Sequence, residues 1–430
     1  MSKKQLYIIV GIFAIITIGF FLASFILTRG GNNTPKETGQ EPNGFFPFGN
    51  SDSTKVNPNG TSPSGNVINN NSDIPAYVGN KDLPILRQVT KNAVAGSYAT
   101  QKSGKEYVNY VEKETGNVFE TRLEDMQTNR ISHSIMPRIY EAQFANSGRS
   151  VVMRYLKSKG ETISTFVLDI PRAGALSSDN ATTSASVPNG RFLPPDIADL
   201  KVSADEKTAF YLTRTGEFSN RNSFGSIFNF EKNSGSQVFQ SPFSEWLPVA
   251  VNSKNVLLQT KASQNVPGFL YSFDIKSGVL KKILGDKKGL TTLPSTDGQR
   301  ILYSESTKGG LTLGIHNISN NTTVNLILQT LPEKCAWKSD SLTIYCAAPQ
   351  NLPGTAYPDA WYQGTVSFSD NLWQVDANTG KSVVILVPSS FTVELMDMTS
   401  LVISPLQDFI YFTNKKDSSL WAFEVHKAEA

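Results

Sequence analysis

The fold prediction starts from two adjacent stretches, "TLPSTDGQRILYSES" (residues 292–306) and "LGIHNISNNTTVNLIL" (residues 313–328). Each contains two alternating apolar segments joined by a polar turn, which is the pattern of a β-hairpin. Together they give four strands in a unit of about 40 residues. Both halves of this unit recur along the chain.

The second half recurs as a hairpin whose turn ends in glycine. Its copies are "VNYVEKETGNVFETRL" (108–123), "SIFNFEKNSGSQVFQ" (226–240), "LYSFDIKSGVLKKIL" (270–284) and "LWQVDANTGKSVVIL" (372–386). Such turns require a residue with positive φ, which glycine adopts at no steric cost. We expect Gly116, Gly235, Gly278 and Gly380 to take this role, with Asn320 or Asn321 replacing glycine in the unit at 313–328.

The first half recurs as a strand, a polar turn and a strongly apolar strand. Its copies are "AQFANSGRSVVMRYL" (142–156), "LKVSADEKTAFYLTR" (200–214), "VAVNSKNVLLQT" (249–260), "CAWKSDSLTIYCAA" (335–348) and "LVISPLQDFIYFTN" (401–414). Both signatures together define seven units, near residues 92–123, 131–171, 196–240, 245–284, 290–329, 332–387 and 398–426. Repeats of four strands each predict an all-β chain folded as a seven-bladed β-propeller.

The last unit is one strand short, and an unassigned apolar strand precedes the first. We expect "LPILRQVT" (Leu83–Thr90) to become the outer strand of the last blade by pairing with Trp421–Val425. This closure would remove the exposed sheet edges of an open array.

The recurring patterns, clearest at "STDGQRILYSE" (295–305) and "LWQVDANTG" (372–380), resemble the WD40-like repeats of the TolB and tricorn type. The resemblance covers nearly all of residues 83–426, whereas the strict WD40 signatures are absent. It implies a propeller and suits a bacterial envelope protein. It does not select a function, because these repeats build ligand-binding, scaffolding and enzyme-accessory domains.

The N-terminal residues predict a membrane anchor. Leu6–Leu27 carries no charge and, at about 1.5 Å per residue in a helix, can cross a roughly 30 Å hydrocarbon core. Two lysines, Lys3 and Lys4, precede this segment, whereas only Arg29 flanks its end. Because positive charge stays on the cytoplasmic side of a membrane helix, the N-terminus is expected in the cytoplasm. A cleaved signal peptide is the alternative. No cysteine lies near this segment, which excludes a lipid-modified N-terminus.

Residues 30–76 are rich in Asn, Gly, Pro and Ser and predict a disordered linker between the anchor (1–29) and the propeller (77–430). A chain of this length reaches roughly 35 to 40 Å. The exception is "GFFPFG" (44–49), whose Phe45, Phe46 and Phe48 indicate either a docking motif or a nonspecific apolar cluster in the linker.

The chain has two cysteines, Cys335 and Cys346, in one predicted hairpin that turns at Asp340 and Ser341. Opposed residues in an antiparallel hairpin have a constant index sum, and 335 plus 346 equals 340 plus 341. The cysteines should therefore face each other within disulfide range, in an oxidising compartment. Two free buried thiols are the alternative. Two ligands are too few for a zinc site.

Insertions are predicted to gather at one end of the propeller. We call this end the insertion end, and it carries the links between blades and the connections from second to third strands. The opposite end, which we call the turn end, carries the other two turns of each blade. Long connections from a second to a third strand are predicted at residues 214–226, 261–268 and 348–370, and residues 172–196 are expected to link two blades. Long loops on a rigid scaffold commonly carry binding sites.

The candidate binding residues lie in two of these connections. Blade six contributes Tyr357, Asp359, Trp361 and Tyr362, with Phe368 nearby, and blade three contributes Arg214, Arg221 and Phe224, with Phe218. Tyr and Trp are enriched at binding hot spots. The alternatives are that the aromatic residues of blade six cap the core and that the blade-three residues form a solvated loop.

Catalytic, metal and cofactor chemistry find little support. His133, His316 and His426 lie in different units, and no nucleophile elbow, metalloprotease motif or phosphate-binding loop occurs. No catalytic residue, metal or cofactor is therefore assigned. A net charge of +3 over 430 residues argues against nucleic acid as a partner.

The sequence thus favours a membrane-tethered, extracytoplasmic binding or scaffolding module for a protein, peptide or envelope polymer. A cell-envelope hydrolase or lyase acting at the channel mouth is the alternative function.

Overall fold

The computed structural model describes residues 83–132, 136–157, 162–170, 190–216, 221–354 and 356–425. They form seven separate four-stranded antiparallel sheets. The first strands of most neighbouring sheets contact one another, so each sheet is a blade with its first strand innermost. The prediction of an all-β, seven-bladed β-propeller is confirmed.

The described chain begins with β1 (Leu86–Thr90), which belongs to the last blade. Blade one contains β2 (Val94–Lys102), β3 (Lys105–Glu112), β4 (Val118–Arg122) and β5 (Thr128–Arg130), and blade two contains β6 (Ile139–Ala145), β7 (Ser150–Leu156), β8 (Ile163–Asp169) and β9 (Gly190–Phe192). Blade three contains β10 (Ile197–Val202), β11 (Thr208–Thr215), β12 (Asn222–Asn229) and β13 (Ser234–Ser241), and blade four contains β14 (Trp246–Val251), β15 (Asn255–Thr260), β16 (Pro267–Asp274) and β17 (Leu280–Lys288).

Blade five contains β18 (Thr291–Pro294), β19 (Arg300–Thr307), β20 (Gly310–Asn317) and β21 (Thr322–Leu326), and blade six contains β22 (Cys335–Trp337), β23 (Thr343–Pro349), β24 (Asp370–Asp376) and β25 (Ser382–Leu386). Blade seven contains β26 (Met398–Ile403), β27 (Phe409–Asn414), β28 (Leu420–Glu424) and β1. Helical turns occur at α1 (Asp359–Tyr362) and at the 3-10 segments Pro332–Lys334 and Pro388–Ser390.

The hydrophobic core lies between neighbouring blades, and β27 shows why. Its sequence, "FIYFTN", is apolar at consecutive positions, and successive side chains of a strand point to opposite faces. Ile410 and Phe412 pack toward blade six, whereas Phe409 and Tyr411 pack toward blade one. Because this blade is covered on both faces, β27 is a near-continuous apolar run rather than an alternating pattern.

The ring closes through its N-terminal strand, as predicted. β1 pairs with β28, with Leu86 opposite Phe423 and Gln88 opposite Trp421. Arg87 reinforces the closure by binding the Glu424 carboxylate and the Leu123 carbonyl. Since β28 runs toward the turn end, β1 starts there, so the described chain enters the propeller at the turn end.

The predicted turn residues are confirmed except at one position. Gly116, Gly278 and Gly380 have φ of 70°, 73° and 74°, and Asn321 has φ of 59°. Gly235 lies within β13 instead, and Asn233, with φ of 50°, takes the left-handed position. The turn comes two residues early because asparagine also tolerates this conformation.

One repeat was aligned to the wrong pair of strands. The hairpin at residues 108–123 forms β3 and β4, the second and third strands of blade one, whereas the other four copies form third and fourth strands. The fourth strand of blade one, β5, is the short polar stretch "TNR", which carries no apolar pattern that a sequence reading could recognise.

The long connection at residues 172–196 was predicted to link two blades, and this prediction is wrong. β9 pairs with β8, so the connection joins the third and fourth strands of blade two and belongs to the turn end. β9 is only three residues long, and its "GRF" sequence gives little indication of a strand. Residues 171–189 lie outside the described ranges.

The cysteine hairpin has the predicted register and bond. Cys335 lies opposite Cys346, with a Cα–Cα distance of 4.1 Å, and the two side chains form a disulfide. Ser341 provides the turn with φ of 55°.

The predicted anchor and linker, residues 1–76, lie outside the described ranges, as do His133, Phe218 and His426. Within the residues that the structure describes, no helix is both long and apolar enough to cross a membrane.

Candidate functional site

The longest described connection at the insertion end, residues 350–369, joins β23 and β24 and contains α1. Three of its four aromatic side chains point inward: Tyr357 and Phe368 are fully buried and Trp361 is 4% exposed. They pack against Leu311 and Leu331 as a separate hydrophobic cluster. The insertion is therefore a folded cap with its own small core.

Polar contacts fasten this cap to blades on either side. Asp359 accepts hydrogen bonds from Ser263 Oγ at 3.1 Å and from the Gln264 backbone N–H at 2.6 Å, both on the loop of blade four. Lys415 of blade seven donates to the Trp361 carbonyl at 2.9 Å and lies 4.7 Å from the Trp361 ring centroid. These hydrogen bonds therefore hold the cap against both blade four and blade seven.

The predicted binding residues fall into two groups. Tyr357, Asp359, Trp361 and Tyr362 lie together in the cap, whereas Arg214, Arg221 and Phe224 lie on blade three. Tyr357 and Trp361 are buried, which matches the interpretation that aromatic residues cap the core, whereas Tyr362 is 46% exposed. Direct ligand contact by any of these residues stays a prediction.

Arg214 belongs to a group of alternating charges, which we call the charged belt and define as Asp199, Arg214, Glu245 and Lys261. The Arg214 guanidinium lies 3.2 Å from the Asp199 carboxylate and 3.8 Å from that of Glu245. The Lys261 ammonium lies 3.5 Å from Asp199 and 3.8 Å from Glu245. These partly exposed ion pairs connect blades three and four at the insertion end.

A second charge group, Lys334, Asp370 and Asp397, lies beneath the cap, and we call it the buried cluster. All three side chains are 0% exposed. The Lys334 ammonium lies 2.5 Å from Asp397 and 2.7 Å from Asp370, and it donates to the Met398 carbonyl at 2.7 Å. The cluster therefore joins the start of blade six to the start of blade seven.

Asp397 connects this cluster to the cap. Its carboxylate accepts hydrogen bonds from the Trp361 indole at 3.1 and 3.2 Å, from Ser367 Oγ at 2.9 Å and from the Phe368 backbone N–H at 3.0 Å. Burial alone would raise its pKa, but the charge of Lys334 and these hydrogen bonds outweigh burial and lower it. Asp397 is thus held as a carboxylate.

Asp370 has a poorer set of partners. One of its oxygens accepts from Lys334 and from the Met398 backbone N–H, whereas the other, Oδ1, has no hydrogen-bond partner among the described residues. Burial raises the pKa of Asp370 to about 6, against the opposing charge of Lys334. The two aspartates of the cluster therefore differ in protonation behaviour.

Exposed apolar side chains lie beside the cap on the link between blades six and seven. Phe391 is 48% exposed, Val393 is 100% and Leu395 is 59%, and with Tyr362 we call them the apolar crest. The link is fixed after the crest, because Met396 and Asp397 are buried. The crest is also tied to blade seven by a hydrogen bond from Asn414 to the Leu395 carbonyl, at 3.5 Å.

One carboxyl group adjoins the crest. The Tyr362 hydroxyl donates a hydrogen bond to Glu333, which lies just before the inner strand of blade six. Burial raises the pKa of Glu333, and the hydrogen bond from Tyr362 opposes this effect. Among the described residues, no group of three His, Cys, Asp or Glu side chains is placed to hold a metal ion.

Sequence reasoning missed the buried cluster and the crest for different reasons. Lys334 meets Asp370 through the folding of blade six and Asp397 through the packing of blade six against blade seven, at sequence separations that no local pattern marks. The crest had a signal: "SSFTVELM" (389–396) leaves apolar residues in a stretch assigned to no strand. Apolar residues that belong to no predicted strand thus indicate a candidate exposed apolar surface such as the crest.

Comparisons with known proteins bear on the fold. No protein-family model matches the chain, and no curated protein sequence matches it. Among solved structures, an oligogalacturonate lyase in complex with manganese matches with a TM-score of 0.51 at 9% identity, over 79% of this chain and 98% of that chain.

Two further matches have lower scores. The β-propeller domain of the Trilobed protease from Pyrococcus furiosus matches with a TM-score of 0.47 at 11% identity, over 77% of this chain and 94% of that chain. TolB from Acinetobacter baumannii matches with 0.38 at 10% identity, over 76% of this chain and 78% of that chain. Identities this low show the fold alone, and the fold is the seven-bladed β-propeller described above.

Proposed function

We propose that the chain is a membrane-tethered, extracytoplasmic β-propeller that binds a protein partner through its insertion end. The observation that carries this proposal is the apolar crest. Folded proteins rarely leave apolar side chains grouped on the surface without a partner, and grouped exposure marks interaction sites. Val393 is 100% exposed, so folding buries none of its apolar surface.

The link that carries the crest is also held at both of its ends. The buried Pro388 and Met396 fix the ends of its link, and the adjacent cap is fastened to blades four and seven. A surface ordered before binding loses less conformational entropy when a partner docks. The crest therefore offers apolar area that is already positioned.

The path of the chain is compatible with a tether that leaves the crest accessible. The described chain enters at the start of β1, at the turn end, and the crest lies at the insertion end. A tether preceding residue 83 would therefore attach at the end of the propeller that does not carry the crest. The disulfide between Cys335 and Cys346 agrees with an oxidising compartment outside the cytoplasm.

The proposal is tested by site-specific photocrosslinking in intact cells. A photoreactive amino acid replaces Val393 in the full chain, and the control replaces Val279, a valine that is 58% exposed in a turn-end loop of blade four. We expect a discrete protein adduct from position 393 and none from position 279. Equal capture at both positions, or capture at neither, would contradict the crest as the binding surface.

The second candidate function, a cell-envelope hydrolase or lyase, is favoured by Glu333. A carboxyl group with a raised pKa, hydrogen-bonded to a partly exposed tyrosine, has the properties of a general acid or base. Turnover of cell-wall glycan fragments by the full chain, lost in Glu333→Gln, would support this function. Absence of turnover together with adducts at position 393 would favour the binding function.

A further inference from the structure

The innermost strands of the seven blades surround the central channel of the propeller, and we call them the channel wall: β2, β6, β10, β14, β18, β22 and β26. Only β2, β6 and β10 carry charged residues. Three of these have an ion-pair partner outside the wall: Lys102 with Glu120, Glu141 with Arg154, and Asp199 with Arg214 and Lys261. The fourth is Lys201, whose side chain forms no ion pair or hydrogen bond with any described residue.

The carboxylate nearest in charge to Lys201 is Glu141, and other donors already occupy it. One Glu141 oxygen accepts a hydrogen bond from the Arg154 guanidinium at 2.5 Å, and the other accepts from the Gln143 amide at 2.7 Å. Glu141 therefore favours the charged form of Lys201 from a distance without binding it. The Lys201 ammonium keeps its own hydrogen bonds available.

The position of Lys201 on β10 directs its side chain into the channel. Leu200 and Val202 pack into the core between blades two and three, and successive side chains of a strand point to opposite faces. Gln143 fixes this stretch by donating to the Leu200 carbonyl at 2.9 Å and accepting from the Val202 N–H at 3.0 Å. Lys201 itself is exposed, although its strand is innermost.

The surroundings of the Lys201 ammonium are confined. Burial lowers the pKa of Lys201, and only the charge of Glu141 opposes this effect. The ammonium is thus reached by solvent yet largely surrounded by protein, as expected for a side chain inside a channel. A charge in such a place interacts more strongly with a ligand than a charge on an open surface does.

The channel wall also offers neutral hydrogen-bond donors. Four hydroxyl residues of blades one and seven are at least partly exposed, and within the described ranges their side chains form no hydrogen bonds: Ser97, Thr100, Thr399 and Ser400. Each hydroxyl can donate one hydrogen bond. The wall therefore combines an unpaired ammonium with available hydroxyl groups, whereas both of its carboxylates are paired.

From this combination we infer that the central channel contains a binding site for an oxyanion, the carboxylate or phosphate group of a ligand, with Lys201 as its cation. Hydrogen bonds between an ammonium and an oxyanion are charge-assisted and roughly twice as strong as neutral ones. The site is separate from the crest and goes beyond the protein binding proposed above.

Amidination of lysines in the purified full chain tests this inference. Methyl acetimidate modifies neutral amines, and peptide mass spectrometry gives the rate at each lysine with phosphate, acetate or chloride at equal ionic strength. We expect phosphate or acetate to slow the reaction of Lys201 about tenfold, because a rise of about one pKa unit leaves about a tenth of the neutral amine. Lys254, exposed on the turn between β14 and β15, is the internal control.

The two anions distinguish the source of the oxyanion. Slowing by both would show recognition of the shared chemistry, and slowing by one alone would identify a carboxylate or a phosphate ligand. An unchanged rate at Lys201 with either anion, or the same slowing at Lys254, would overturn the inference.

Matched variants give a second measurement that does not depend on the reactivity of Lys201. Lys201→Gln and Lys254→Gln each remove one positive charge from the turn-end half of the propeller. Since a ligand that binds only the folded state raises the unfolding temperature, phosphate or acetate should raise it more in the parent and in Lys254→Gln than in Lys201→Gln. Equal rises in all three proteins would overturn the assignment of the site to Lys201.

Discussion

The buried cluster and the charged belt contain the same kinds of residue at the same end of the propeller, yet differ in environment. The cluster side chains are 0% exposed with contacts of 2.5 and 2.7 Å, whereas belt contacts run from 3.2 to 3.8 Å with Glu245 47% exposed. Water can replace a lost partner in the belt but not beneath the cap. Burial, rather than the number of ion pairs, should therefore determine the energetic importance of each group.

The largest expected effect comes from Lys334→Met. This change leaves Asp370 and Asp397 facing each other, buried and without their shared cation. Removing one member of a buried ion group costs about 3 to 5 kcal/mol, so we expect a loss of that size in the free energy of unfolding. Urea denaturation of the parent and the variant measures it.

The matched change in the belt is Glu245→Gln. Because Glu245 is half exposed and its contacts are 3.8 Å long, we expect a loss below about 1 kcal/mol. Equal losses in Glu245→Gln and Lys334→Met would contradict the distinction between the two groups.

The second-largest loss in the free energy of unfolding is expected from removing the disulfide beside the buried cluster. The disulfide Cys335–Cys346 follows Lys334 directly and closes a loop with a sequence separation of 11. Restricting the unfolded chain with a loop of this size contributes about 2 to 3 kcal/mol, which the double substitution Cys335→Ala/Cys346→Ala should remove. Denaturation measures this loss. Intact mass with and without reduction checks the bond, and alkylatable thiols in the unreduced full chain would contradict it.

An effect smaller than that of the disulfide is a pH dependence that comes from Asp370. Its folded pKa of about 6 exceeds the value near 3.9 of an unfolded aspartate, so folding favours the protonated form. This stabilising contribution is complete below the unfolded pKa and is lost as pH rises through about 6. The free energy of unfolding should therefore increase by about 1 kcal/mol from pH 7.5 to pH 5 because of this group.

Asp370→Asn tests this contribution, since an amide does not titrate. We expect the variant to lose about 1 kcal/mol of the pH-dependent change, measured by denaturation at pH 5, 6 and 7.5. The pKa of Asp397 is lowered, so its contribution has the opposite sign and appears at lower pH. An unchanged pH profile in the variant would show that Asp370 is ionised throughout.

The fold was largely predictable because its signals are local. Alternating apolar residues and positive-φ turns at Gly116, Gly278 and Gly380 mark hairpins, and the Cys335–Cys346 register follows from index sums alone. Predictions were wrong where a strand is short and polar, as at β5 and β9. A strand of three residues makes few hydrogen bonds and leaves no periodicity to detect.

The candidate site was less predictable because it depends on burial and on long-range contacts. The sequence marked Tyr357 and Trp361 as aromatic loop residues, but only packing against Leu311 and Leu331 turns them inward. Likewise, nothing local pairs Lys334 with Asp397. Burial at Trp361 depends on packing against neighbouring blades, which no single repeat contains.

The closing strand has a mechanical consequence. β1 is the outermost strand of its blade and starts at the turn end. A force that pulls residue 83 away from the turn end, parallel to β1, therefore acts along the axis of this strand. Interstrand hydrogen bonds lie perpendicular to the strands, so those between β1 and β28 would be loaded together in shear rather than one after another. The Arg87–Glu424 ion pair carries part of the same load. The seam that closes the propeller thus also resists tension applied through the N-terminal side of the chain.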